Sequence, residues 1–148
     1  MSTEGNKAIV RRYIEEAVNK GNLAIIDELM SAHYRNPMRP SIGAPGSGSE
    51  RYKQAVARDR VAFPDLEVTF DCMIAEGDLV AYETTWRGTH RGTWRGIAPT
   101  GKRVAWRATC FRRVVDGKVV EGWGTYDWLG VFEQLGATVT TPPPPTPS

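Results

Sequence analysis

Apolar residues recur at a helical period over positions 7–19, at Ile9, Val10, Tyr13, Ile14, Ala17 and Val18. Gly21 stops that helix, and Asn22 reads as the cap of a second one carrying Leu23, Ile25, Ile26, Leu29 and Met30. A short extended piece over 33–36 follows and ends at Pro37. Residues 40–48 are Pro, Gly and Ser-rich and read as a surface loop. Ser49 then caps a third helix over 50–62, ended by Phe63-Pro64-Asp65. From Leu66 the period shortens to two: Leu66, Val68 and Phe70 alternate with Glu67, Thr69 and Asp71. Glu76-Gly77-Asp78 turns the chain into a second strand over 79–89, and a loop over 92–102 leads to a third over 103–115. Asp116-Gly117 is a two-residue hairpin signal before a fourth strand over 118–127. Helices first and an antiparallel meander second define an α+β layer fold. Helices cover one face of the sheet, and a strongly bent sheet encloses a pocket between the layers.

The chain of 148 residues suits one domain, 1–137, with a tail over 138–148. That tail, with its Thr-Thr-Pro-Pro-Pro-Pro-Thr-Pro-Ser run, has little to bury and reads as disordered or polyproline-like. With 41% hydrophobic and 24% charged residues, the rest can build a core without disulfides. Nineteen basic against seventeen acidic residues give a net charge of +2, too balanced for a nucleic-acid binder. Arginines interleave with Trp86, Trp94 and Trp106, but a sheet with one solvated and one buried face gives the same pattern. Two cysteines and two histidines make no metal-site spacing. No leader-type or membrane-spanning apolar run is present, so the reading is a soluble, cytoplasmic protein without nucleic-acid or membrane partners.

Several segments then form an ordered set. They are Ala62-Phe63-Pro64-Asp65-Leu66, Gly88-Thr89-His90-Arg91-Gly92, and Gly96-Ile97-Ala98-Pro99-Thr100-Gly101-Lys102. Asp116-Gly117-Lys118-Val119-Val120-Glu121-Gly122-Trp123-Gly124 and the closing Asp127-Trp128-Leu129-Gly130-Val131-Phe132-Glu133-Gln134-Leu135-Gly136 complete it. Together with the N-terminal helix pair, this set resembles the SnoaL-like polyketide cyclase family. The resemblance implies a cone-shaped α+β barrel of the nuclear transport factor two-like superfamily, in which helices close one end of a curved sheet around an apolar cavity. It further implies a homodimer or homotetramer, and a cofactor-free enzyme that closes a ring in an aromatic polyketide by intramolecular aldol addition. The same fold hosts other reactions, so hydroxylase, dehydratase, isomerase, epoxide hydrolase and non-catalytic ligand-binding readings stay open.

Aldol closure needs a base for an acidic C–H and an acid for the oxygen that becomes an alkoxide, and one carboxylate in a mostly apolar pocket can serve both. The resemblance puts that role on Asp127, which also suits the cap of a terminal helix starting near Trp128. His90 is a second candidate, a donor to substrate oxygen or a plain turn residue. Tyr34 and Asn36 fall where the family lines its pocket with polar groups. Pro37 stands where family members commonly carry histidine, and Gly122 where they often do. Arg112 and Arg113 are adjacent, so a regular strand sends them to opposite faces. Arg112 then either holds substrate oxygen or pairs with Glu83 or Glu121. Trp106 and Cys110 share one face of the third strand. Trp106 and Trp123 are candidate stacking surfaces for a flat ligand, with core packing as the alternative. Cys110 has no histidine partner in sequence and is read as pocket lining.

Overall fold

The computed structural model describes residues 2–38 and 48–147. The proposed loop over 40–48 falls almost wholly outside them. Helix α1 spans Thr3–Tyr13 and continues as a wider, π-helical turn, Ile14–Asn19. The widened turn ends where Asn19 is tied to a strand. Its Nδ2 donates to Val68 O at 3.0 Å, and Val68 N donates to its Oδ1 at 2.7 Å. Arg60 Nη1 donates to the terminal carbonyls of Val18 and Asn19 at 2.6 and 3.0 Å. Helix α2 is short, Ala24–Leu29, and Met30 already opens strand β1, Met30–Arg35. Helix α3 spans Gly48–Ala62.

Four longer strands follow: β2 Glu67–Glu76, β3 Leu79–Thr89, β4 Arg103–Val115 and β5 Lys118–Tyr126. The sheet order is β1-β5-β4-β3-β2. The meander is antiparallel as expected, with Trp86 opposite Trp106 and Arg112 opposite Gly122. The β1 pairing is parallel to β5. No hairpin joins these two strands, so no turn forces them antiparallel. The result is a mixed five-stranded sheet that does not close on itself; helices complete the α+β cone. Irregularities between Phe70 and Cys72, and between Arg113 and Val114, bend the strands. The Asp116-Gly117 hairpin turn has φ of 50° and 77°, the left-handed pair a tight β-hairpin needs.

The inner face of the sheet carries Val80, Tyr82, Trp86, Val104, Trp106, Ala108, Cys110 and Val114, all buried. Val10, Tyr13, Ile14, Ala17 and Val18 meet it from the first helix. Helix α4, Trp128–Gln134, closes the end of the cone at which the β3–β4 loop lies, and Gln134 bonds Ala105 through both backbone groups at 3.0 and 2.7 Å. Residues 138–147 form neither helix nor strand. Among the described residues no helix is long and apolar enough to cross a membrane.

Candidate active site

Alternation along β4 decides the most consequential placement. Arg113 faces outward and bonds Asp78 at 2.6 Å and Glu121 at 3.1 Å. Arg35 also reaches Glu121, and Arg107 pairs with Glu83. Arg112 faces inward, 3% exposed, and neither Glu83 nor Glu121 is its partner. Its Nε donates to Tyr13 Oη at 2.7 Å, and its Nη1 to the carbonyls of Phe111 and Trp123 at 2.8 and 3.3 Å. The hydroxyls of Tyr13 and Tyr82 are 2.9 Å apart. The guanidinium carbon lies 6.0 and 5.7 Å from the centroids of those two rings. Tyr34 and Tyr52 meet edge to face, and so do Tyr13 and Tyr52, both pairs at 5.9 Å. Burial pushes the hydroxyls of Tyr34, Tyr52, Tyr82 and Tyr126 above the ordinary phenol range, so they stay protonated donors.

Gly122 explains how Tyr34 and Arg112 share this space. A Cβ there would stand 2.4 Å from Tyr34 Oη and 2.7 Å from Arg112 Nη1. Cys110 is buried beside them and its Sγ is 3.7 Å from Tyr126 Oη. Asn36 is half-buried, with Oδ1 accepting from Met38 N at 2.9 Å in a local turn.

Towards α4 the inner wall becomes aromatic. Trp86 and Trp106 stack at 5.9 Å and 23°. Tyr126 stacks on Trp128 at 4.9 Å, and Trp94 meets Trp128 at 5.7 Å. His90 is wholly buried here, near Phe63, rather than in an exposed turn. Thr100 N donates to its Nδ1 at 3.2 Å, which assigns the ring proton to Nε2. His90 Nε2 and Trp106 Nε1 are both buried without a partner among the described residues. Each such N–H costs about 1–3 kcal/mol, a cost that a ligand carbonyl would relieve. Trp123 is on the other side of the sheet, stacked on Phe111 at 5.4 Å and 8°. The period-two alternation that takes Arg112 inward takes Trp123 outward, away from the remaining sequence-derived residues.

Asp127 stands at the end of β5, exposed, and caps α4: its Oδ1 accepts from Gly130 N at 2.9 Å. Gly130 permits this approach, since a Cβ there would lie 2.3 Å from Oδ2. The carboxylate that meets the desolvation requirement is one the sequence reading did not single out. Asp59 on α3 lines a cavity of about 480 Å³ with Ala57, Arg58, Val61, Thr93, Trp94 and Arg95. Burial raises its pKa from 3.8 to about 6, opposed by Arg95 and Arg58. The Arg95 guanidinium lies over both Trp94 and Trp128, at 5.1 and 4.7 Å. The signal was present: Val56, Asp59 and Phe63 are spaced i, i+3, i+7, which puts a carboxylate on the buried stripe of an amphipathic helix.

The sequence profile described as SnoaL-like polyketide cyclase matches residues 8–135. The chain is 30% identical over 135 residues to aklanonic acid methyl ester cyclase DnrD of Streptomyces peucetius, covering 90% of this chain and 92% of that one. The solved structure of TsrD from Streptomyces laurentii superimposes with a TM-score of 0.83 at 26% identity, over 93% of this chain and 99% of that one. AclR from Streptomyces galilaeus, provisionally assigned as a hydroxylase, does so with a TM-score of 0.77 at 30% identity, over 91% and 98%.

Proposed function

The chain belongs to the SnoaL-like polyketide cyclase family, and on that premise we propose that it closes a ring in an aromatic polyketide ester by intramolecular aldol addition. The observation that carries the reading is the two-part interior. An aromatic wall of Trp86, Trp106 and Tyr126 runs into a cluster of protonated phenols around a buried arginine. A flat polycycle stacks on the first, and its carbonyl oxygens find donors in the second. Asp127 is the proton-transfer group in this reading. What supports it is the family-matched position and a second carboxylate oxygen not used by the cap hydrogen bond. Taking a proton from carbon and returning it to the new alkoxide needs one such oxygen, within hydrogen-bond reach of both atoms. The reaction asks for no cofactor, because a C–H flanked by two carbonyls is already acidic.

The test is incubation with aklanonic acid methyl ester, the compound for which the Streptomyces peucetius relative is named. Aldol closure gives a product of unchanged mass and altered absorption, and the Asp127→Asn variant forms it far more slowly. A product that gains an oxygen atom would instead favour a hydroxylase, the reading that AclR supports. No product at any pH would refute the cyclase assignment for this substrate.

A further inference from the structure

Among the described residues the interior arginine is a cation without a counterion. Nine ion pairs join one described residue to another, and none includes Arg112. Residues 39–47, outside the described set, contain no Asp or Glu, so no carboxylate can come from them. Every hydrogen bond Arg112 makes goes to a neutral acceptor, and its Nη2 makes none among the described residues. A guanidinium remains protonated at any working pH. Withdrawing that charge from water costs several kcal/mol unless an anion faces it. Quadrupole attraction from Tyr13 and Tyr82 offsets only about 1–2 kcal/mol of that cost. The chain therefore keeps a fixed, desolvated positive charge and leaves its compensation to something that enters.

The geometry points to Arg112 and its surrounding phenols as the site that binds the substrate as an enolate, the anion of a 1,3-dicarbonyl. This rests on the ring-closure reading for its substrate, and its bond changes are as follows. A base takes the proton from the carbon between two carbonyls. The C–H bond breaks, and its electron pair moves onto a carbonyl oxygen, which becomes O⁻ facing Arg112 Nη2. The enolate carbon then attacks a ketone carbon and forms the C–C bond. The ketone oxygen takes up the displaced pair and then the proton, so no atom is gained or lost. Charge is stabilised in place because Tyr13 is already bonded to both Arg112 and Tyr82, and the donors need no reorganisation.

The probe is 1-(2-naphthyl)butane-1,3-dione, whose enolate is read by its own ultraviolet absorption during a pH titration with excess protein. An adjacent cation lowers an acid's pKa by about 1–3 units. The expected result is a shift of that size with the native protein, lost in Arg112→Gln and diminished in Gly122→Ala, which displaces the guanidinium. Should Arg112→Gln not fold, Arg112→Met, which removes the charge and keeps the apolar stem, serves instead and must likewise lose the shift. A bound diketone that ionises at its solution pH, or equally low in Arg112→Gln, overturns the enolate site and leaves the cyclase reading standing. Failure of the diketone to bind overturns it as well, and turnover of aklanonic acid methyl ester then decides the cyclase reading independently.

Discussion

Replacing Asp59 by Asn should make the protein more stable at neutral pH and leave it unchanged in acid. The Asp59 carboxyl is half-buried beside Trp94, and no described residue offers it a hydrogen bond or ion pair. Its pKa rises from 3.8 to about 6 on folding, chiefly by desolvation. An acid that holds its proton more tightly in the folded state gives full stability below the lower value. That stability then falls as pH climbs through the higher one. At about 1.36 kcal/mol per unit, the native chain loses up to about 3 kcal/mol between pH 3.5 and 7.5 from this group alone. Asn keeps the shape and cannot ionise, so the variant escapes the loss. Urea unfolding at both pH values checks it. The midpoints should coincide in acid, while the variant leads by on the order of 1 M at pH 7.5. A variant less stable at pH 7.5, or a difference independent of pH, would refute the desolvation argument. A group retained at that cost is a natural place to look for proton transfer, and turnover of the same variant measures whether stability was given up for it.

Asp127→Asn should lower kcat by about 10²–10⁴-fold while leaving the urea midpoint nearly unchanged, because Asn caps a helix as well as Asp does. Equal turnover would reduce Asp127 to a cap. Gly122→Ala should cost about 1–3 kcal/mol on denaturant unfolding, since its Cβ meets Tyr34 Oη and Arg112, and an unchanged midpoint would mean both side chains move freely. The outer face of the sheet carries a row of Ile74, Ala81, Phe111 and Trp123 across four strands, with Ile74 64% exposed. Self-association through it should appear in sedimentation as a dimer or larger species, and Ile74→Lys should shift it to monomer. A native monomer at micromolar concentration would count against that.

Legibility in the sequence follows the range of the interaction. The β4 bounds, the Asp116-Gly117 turn and the opposite orientations of Arg112 and Arg113 are set by neighbours a few residues apart, and the pattern shows them. The parallel docking of β1 on β5 joins Met30 to Val119, a separation no local pattern encodes. The widened turn after Tyr13 depends likewise on Asn19 bonding Val68, forty-nine residues on. Site residues divide in the same way. Arg112 was legible as inward or paired, and only the positions of Glu83 and Glu121 decide between the two. Trp123 was misplaced because an aromatic near Asp127 looks like pocket lining until β5 is registered against β4. The spacing of Val56, Asp59 and Phe63 places Asp59 on a buried stripe, but the cavity it lines is completed by Trp94 and Arg95, on a loop thirty-five residues further along that no local pattern brings there.

Gly122 and Arg112 are best understood as one feature. Position 122, where the family resemblance implies a histidine, has no side chain here, which at first suggests a lost polar group. The space is filled instead from two directions, by the Arg112 guanidinium and the Tyr34 hydroxyl, each so close to the would-be Cβ that it would have to shift to admit a side chain there. A histidine can both give and take a proton near neutrality; a guanidinium can only donate hydrogen bonds and stay charged. On the proposed reading, proton transfer and charge stabilisation are thereby given to different residues of this chain. The inner end holds a permanent cation, and the carboxylates of Asp59 and Asp127 lie on α3 and at the start of α4. The separation predicts that turnover in Arg112→Lys should fall while its pH profile keeps the native midpoints, because the variant changes how an oxyanion is held and not which group moves the proton. A displaced midpoint would show that Arg112 also sets the pKa of the proton-transfer group, and the two roles would then have to be treated as coupled.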